Sequence, residues 1–181
     1  ADIDQDGDQD VLTGDLARLR FYENLGGGNF TYSTITQEYD NYELNTIDFD
    51  QDGDIDIVAV TSAPNAVVWY ENDGSEDFSA NIISEYNSLH SGLDVADLDG
   101  DGDADLMVFS FEGHGTADKV STCEVHYGVT SPDPRAESAI AIQSEGRIQL
   151  GVDRFDFDRD GDTDLMFTTI ARGYLESDWW N

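Results

Sequence analysis

The chain is poor in cysteine and in basic residues, and it has no long apolar run. Cys123 is the single cysteine among 181 residues, so no disulfide can form within the chain. Lysine and arginine number 8 against 40 aspartates and glutamates, which gives a formal net charge of -32. Nucleic acid and anionic lipid both repel a polyanion, so this charge excludes both as partners. No apolar stretch approaches the roughly 20 residues of a membrane-spanning helix, so we expect no membrane insertion.

A low hydropathy with a high net charge is typical of disordered chains, but the apolar residues argue against disorder here. Hydrophobic residues make up 39% and aromatic residues 11% of the chain, and they are gathered in short runs. The length is sufficient for one domain with a buried core. The composition therefore predicts a folded chain in which cations neutralise concentrated negative charge.

A nine-residue segment with aspartate at every second position occurs four times. The four segments, called loops 1 to 4 below, are DIDQDGDQD at residues 2–10, DFDQDGDID at 48–56, DLDGDGDAD at 97–105 and DFDRDGDTD at 156–164. A second pair of segments, FYEN at 21–24 and WYEN at 69–72, supports the same period. Such self-similarity predicts a repeat architecture.

Short β-strands are predicted around each loop, because alternating or β-branched segments flank it and no sustained helical period occurs. They are residues 44–49, 93–98 and 152–157 before the loops, 55–61, 106–109 and 165–170 after them, 19–22 and 67–70 as third strands, and 30–35 and 78–83 as fourth strands. Asn-Asp-Gly and Gly-Gly-Gly segments supply hairpin turns. The sequence therefore predicts an all-β fold of four-stranded antiparallel blades, as in a β-propeller.

Each loop offers the oxygen ligands that a hard cation prefers, and a glycine at position 6 permits a sharp turn. We expect the carboxylates at positions 1, 3, 5 and 9 and the backbone carbonyl at position 7 to be the ligands. The carboxylates are Asp2, Asp4, Asp6 and Asp10 in loop 1, Asp48, Asp50, Asp52 and Asp56 in loop 2, Asp97, Asp99, Asp101 and Asp105 in loop 3, and Asp156, Asp158, Asp160 and Asp164 in loop 4. The carbonyls belong to Asp8, Asp54, Asp103 and Asp162.

Calcium suits these loops better than other ions, so the sequence predicts about four Ca²⁺, one in each loop. Mg²⁺ requires strict octahedral geometry, and Zn²⁺ would require cysteine or histidine ligands. An EF-hand is excluded because it needs flanking helices and a glutamate at position 12. That position holds Thr13, Ala59, Val108 and Phe167.

The four loops, the apolar strand after each and the Tyr-Glu-Asn turns resemble the FG-GAP/VCBS-type β-propeller repeats of integrin α-subunit heads and secreted bacterial proteins. The resemblance implies a calcium loop between the first and second strands of each blade. On this register residues 1–42 are a partial blade, 43–90 a blade, 91–147 a blade with a longer loop and 148–181 a partial blade. We expect this single array, 1–181, to be part of a larger propeller or of an assembly in which open strand edges pair with further copies.

Residues 110–147 depart most from the period and contain His114, Cys123, His126 and Tyr127. They are interpreted either as a catalytic or ligand-contacting insertion or as a plain connecting loop. No catalytic triad or nucleophile elbow is present, which favours the plain loop. The alternating context of Cys123 predicts a strand and a small buried side chain.

Two further features have competing interpretations. Trp69, Trp179 and Trp180 could form a sugar-stacking platform, but aromatic residues are also common in packed strands, which the pattern favours. The segment Asn29-Phe30-Thr31 matches the N-glycosylation pattern.

The function predicted from these features is that of an extracellular or cell-surface propeller segment stabilised by calcium. It would serve adhesion, binding of a carbohydrate or protein, or assembly into a surface polymer or filament. Extracellular modules bind calcium with a Kd of roughly 10⁻⁴–10⁻³ M, too weakly for cytosolic calcium, which favours that location. The alternative is part of a propeller-fold polysaccharide lyase or hydrolase, although the sequence identifies no catalytic residue.

Overall fold

The structure, a computed structural model, describes residues 1–15, 18–85, 89–97, 102–112, 120–126, 139–145, 147–155 and 164–170. Within these ranges the chain forms β-strands in four antiparallel sheets and contains no helix. No helix long and apolar enough to cross a membrane is therefore found in the described ranges. The predicted all-β class with antiparallel blades is confirmed.

The four sheets follow one another along the chain. The first contains β1 (Val11–Asp15), β2 (Arg18–Asn24) and β3 (Phe30–Thr36). The second contains β4 (Asn41–Ile47), β5 (Asp56–Ser62), β6 (Asn65–Asn72) and β7 (Phe78–Glu85). The third contains β8 (Leu89–Ala96), β9 (Asp105–Glu112), β10 (Val120–His126) and β11 (Ala139–Glu145). The fourth contains β12 (Arg147–Phe155) and β13 (Asp164–Ile170).

The second and third sheets are simple up-and-down blades, because each strand pairs with the next one along the chain. Loop 2 joins β4 to β5 and loop 3 joins β8 to β9, so both loops lie between the first and second strands of their blade. Loop 4 holds the same place between β12 and β13, and loop 1 precedes β1. The predicted position between the first two strands is therefore confirmed for loops 2, 3 and 4.

The second sheet packs face to face against the first and the third sheets, because both faces of β5 and β6 are apolar. One face packs against the first sheet, and this cluster contains Leu19, Ile57, Ala59, Ala66, Val68 and Tyr70. The opposite face packs against the third sheet, and the main members of that cluster are Val58, Val60, Val67, Trp69, Leu93, Val95, Leu106 and Val108. A strand buried on both faces reads as a continuous apolar run, as in Asp56–Ser62.

The expectation of a plain loop over residues 110–147 is wrong for two stretches. Strands β10 and β11 complete the third sheet, and Cys123 in β10 pairs with Phe109 and Ile142. The predicted strand around Cys123 is therefore confirmed. His126, at the end of β10, is buried, and this burial lowers its pKa although Glu124 opposes the effect. His114 and Tyr127 lie outside the described residues.

The choice between sugar stacking and core packing is resolved for one tryptophan. Trp69 is 2% exposed, and its ring lies 5.2 Å from that of Phe49 between the second and third sheets. It is therefore a core residue and cannot stack on a sugar, whereas Trp179 and Trp180 lie outside the described residues. The second, third and fourth sheets begin at Asn41, Leu89 and Arg147. The assignment of the whole chain to one array stays a prediction.

Candidate metal loops

Loops 1 and 2 have the same backbone conformation. The residue at position 4 is left-handed in both, with φ of 60° at Gln5 and 61° at Gln51. Position 6 follows with φ of 100° at Gly7 and 101° at Gly53. A side chain at φ near 100° would be strained, so glycine is required where the loop reverses direction.

The aspartates themselves hold this curled backbone. In loop 1 the Asp4 carboxylate accepts a hydrogen bond from the Asp6 amide at 3.1 Å, and the Asp6 carboxylate accepts one from Asp8 at 2.8 Å. The carboxylate at position 1 closes the turn, since Asp2 Oδ2 accepts the Gly7 amide at 3.1 Å. Loops 2 and 3 repeat this closing bond, which joins Gly53 to Asp48 at 3.2 Å and Gly102 to Asp97 at 3.1 Å. Short polar side chains that bond to nearby backbone favour such turns.

The aspartate at position 9 joins the start of the loop to the strand that ends in the Tyr-Glu-Asn segment. In loop 2 the Asp56 carboxylate accepts the Phe49 amide at 3.0 Å and the Asn72 amide at 2.8 Å. In loop 1 Asp10 accepts the amides of Ile3 at 2.8 Å and Asn24 at 2.9 Å. Each oxygen of a carboxylate has a further lone pair, so both carboxylates can still bind a cation.

The asparagine of the Tyr-Glu-Asn segment braces the loop from the side. The Asn72 side chain donates to the Ile55 carbonyl at 3.1 Å and accepts the Gly74 amide at 3.2 Å. Asn24 makes the matching bonds with Gln9 and Gly26, both at 3.1 Å. The sequence predicts only a turn at this segment, although its recurrence after two loops is the signal of a shared role.

The apolar residue at position 2 of each loop, called the anchor below, is a second feature that was not predicted from the sequence. Ile3 is 2% and Phe49 is 1% exposed, so both side chains point out of the polar loop into the core. This position is apolar in all four loops, with Leu98 and Phe157 in the other two. Burial of the anchor fixes the start of each described loop to its sheet, because a buried Ile or Phe stabilises by roughly 1.5–3 kcal/mol.

Carboxylates from positions 1, 3 and 9 converge in both loops. One oxygen of each carboxylate lies within 4.8 Å of the others, and the groups are Asp2, Asp4 and Asp10 in loop 1 and Asp48, Asp50 and Asp56 in loop 2. The carboxylates at position 5, Asp6 and Asp52, are not part of either group. In loop 3 the structure describes Asp97, Asp103 and Asp105, and in loop 4 only Asp164, the first residue of β13.

These groups are electrostatically costly as they stand. Asp2 Oδ1 and Asp48 Oδ1 are buried and have no hydrogen-bond partner. Burial raises the pKa of Asp4 and of Asp50, and neighbouring aspartates raise both further. Burial also raises the pKa of Asp56 to about 6, although the amides of Asn72 and Phe49 oppose the shift. Buried carboxylate oxygens without a donor are normally satisfied by a cation, and this all-oxygen set fits Ca²⁺.

Comparison with protein families gives a match for the region that contains loops 2 and 3. Residues 48–108 match the model of an FG-GAP-like repeat, and this range covers loop 2, strands β5 to β8, loop 3 and the first half of β9. Comparison with curated proteins and with solved structures gives no match.

Proposed function

Because residues 48–108 match an FG-GAP-like repeat, we propose that the chain is a calcium-stabilised segment of an extracellular β-propeller. Such repeats suggest a propeller-like domain of the extracellular adhesion type. We propose further that the segment serves adhesion and that its partner is a carbohydrate, a protein or another copy of the chain. The blade supplies a rigid frame, and the calcium loops fix the ends of its first two strands.

The observation that carries the calcium proposal is the unpartnered, buried oxygen at position 1 of both fully described loops. Asp2 and Asp48, whose Oδ1 atoms lack a hydrogen-bond partner, each belong to a converging group of three carboxylates. A divalent ion there would offset the repulsion among the carboxylates and fill the missing interaction. An ion that binds only the folded state stabilises it by about 2.7 kcal/mol per site at a hundredfold excess over Kd.

Calcium titration tests this proposal. In wild-type protein we expect calorimetry to give about four bound Ca²⁺ per chain, and we expect the melting temperature to fall by several degrees when a chelator is added. Mg²⁺ at the same concentration should restore much less of the loss, because it sheds water reluctantly.

The variant Asp48→Asn makes the test specific to one loop. Asparagine keeps an oxygen that accepts the Gly53 amide but carries no charge. The variant protein should therefore bind one Ca²⁺ fewer than the wild type. Asp77→Asn is the matched control, since it removes the same charge from an exposed position in the β6–β7 turn. If calcium gives no binding heat and the chelator leaves the melt unchanged, the structural role of calcium is wrong.

A further inference from the structure

A glutamine side chain leaves loop 1 and contacts loop 2. Gln5 Nε2 donates to the Gly53 carbonyl at 2.8 Å and to Asp54 Oδ1 at 3.1 Å. A side-chain amide has two N–H groups, so one nitrogen can make both bonds. Gln5 therefore joins position 4 of one loop to positions 6 and 7 of the next.

The same contact recurs between loops 2 and 3. Gln51 Nε2 donates to the Gly102 carbonyl at 3.2 Å and also to Asp103 Oδ1. The donor is again at position 4 and the acceptors are again at positions 6 and 7. The same connection thus occurs in two successive pairs of loops, and in both the donor comes from the earlier loop.

The backbone of each loop directs this side chain. Both glutamines have left-handed φ, which non-glycine residues rarely adopt. Position 4 lies between the aspartates at positions 3 and 5, so a cation that orders the loop also orders its glutamine. The glutamine then fixes the backbone just before the position-7 carbonyl of the next loop, which is an expected ligand.

We infer that Gln5 and Gln51 couple neighbouring loops, so that calcium bound in one loop raises the affinity of the next. This inference rests on the proposed calcium function. The entropy cost of ordering each bridge is met when calcium binds the first of the two loops. The second loop then binds calcium without this cost, which is a source of positive cooperativity. Coupling is reciprocal, so each loop raises the affinity of its neighbour by the same factor, for which we expect about 3- to 10-fold.

The sequence indicates that the glutamine contact does not continue beyond loop 3. Position 4 is Gly100 in loop 3, which has no side chain, and Arg159 in loop 4. Loop 3 therefore lacks the donor that loops 1 and 2 use. The coupled unit consists of loops 1, 2 and 3, and loop 4 should fill independently of them.

Replacement of Gln5 by asparagine breaks one bridge and changes little else. Asparagine keeps the amide and tolerates left-handed φ, but its side chain is one methylene shorter. The matched control is Gln9→Asn, which makes the same substitution at an exposed position in loop 1. Gln51→Asn tests the second bridge in the same way.

The amides of Gly7, Gly53 and Gly102 give a separate signal for each loop in a ¹⁵N NMR titration with CaCl₂. Each donates to the position-1 aspartate of its own loop, so its chemical shift follows occupancy. In wild type and in Gln9→Asn we expect overlapping midpoints and slopes steeper than for independent sites. In Gln5→Asn the midpoints of Gly7 and Gly53 should rise by about 3- to 10-fold, while Gly102 stays closer to its wild-type value.

A double-mutant cycle separates coupling from a merely structural role. Asp48→Asn should weaken calcium binding at loop 1, reported by Gly7, when Gln5 is present and should have no such effect in Gln5→Asn. A structural role alone would lower the calcium-free melting temperature and leave the calcium midpoints unchanged, which would overturn the inference. If no glycine amide responds to calcium even in wild type, it is the proposed function that fails.

Discussion

The first and second sheets carry the same loop, yet they differ in what covers them. The residue that follows each loop lies on the same face of its sheet, but Val11 is 46% exposed and Ile57 is fully buried. The tyrosine of the Tyr-Glu-Asn segment behaves similarly, since Tyr22 is half-buried and Tyr70 is 1% exposed. The second sheet has a neighbour on both faces, whereas in the described residues this face of the first sheet has none.

The hydrogen bonds of the two loops are nevertheless the same. Asp10 and Asp56 accept equivalent backbone amides, and the distances agree within 0.2 Å, at 2.8 and 2.9 Å against 3.0 and 2.8 Å. Loop shape is therefore local, because neighbouring aspartates, the glycine and the bracing asparagine determine it. Burial and its electrostatic cost come from the tertiary neighbours.

The side chains of the uncovered face agree with its exposure. Pairing places Val11, Tyr22 and Tyr32 in one row across the first sheet, and the two tyrosine rings lie 5.7 Å apart. Arg20 stands on this face and forms an ion pair with Asp15 at 3.0 Å. A valine, Val68, takes the place of Arg20 in the second sheet, where the face is closed.

The largest expected difference comes from truncation of the residue that follows each loop. Ile57→Ala should lower the free energy of unfolding by roughly 2–5 kcal/mol, because it leaves a cavity between two sheets. Val11→Ala, at the matching exposed position, should lower it by less than about 1 kcal/mol. Urea unfolding measures both, and equal losses would show that the first sheet is covered in solution.

The bracing asparagines should give a smaller difference. Asn72 is 1% exposed and both of its side-chain bonds are partly buried, so Asn72→Ala, which leaves the Ile55 carbonyl and the Gly74 amide without their partner, should cost about 1–3 kcal/mol. Asn24→Ala should cost less, because Asn24 is only half-buried and water can replace its bonds. Unfolding in calcium-free buffer compares the two directly. Similar losses would mean that burial does not determine the strength of the brace.

Much of this comparison could be predicted from sequence, since loops and strands are encoded locally. The apolar run Ile57-Val58-Ala59-Val60 indicated a strand, and the glycine at position 6 indicated the turn. The inter-sheet contacts of Gln5 and Gln51 could not be predicted, because an exposed glutamine has no periodic signal. Strand β11 was missed for a related reason, since its distance along the chain from loop 3 breaks the repeat period.

The pH dependence should give the smallest effect, and it concerns the covered loop. In calcium-free protein, burial raises the pKa of Asp56 from 3.8 to about 6. The folded state then binds a proton on the Asp56 carboxyl more tightly than the unfolded state does. The stabilisation that this proton gives is therefore lost as pH rises from about 4 to above 6. Acidification from pH 7 to pH 5 should therefore stabilise the calcium-free protein by about 1 kcal/mol through this residue.

Saturating calcium should reverse the sign of this pH dependence, so that acidification destabilises the protein. The reason is that the cation binds the ionised carboxylate and protons compete with it. Urea unfolding at pH 7, 6 and 5, with and without calcium, measures both trends. High salt should be present in each series, since it screens the general repulsion within a chain of net charge -32. A ¹³C titration of the Asp56 carboxyl should give a midpoint near 6 without calcium. A midpoint near 4 would show that loop 2 is open to water and that its cover by the neighbouring sheets has no electrostatic consequence.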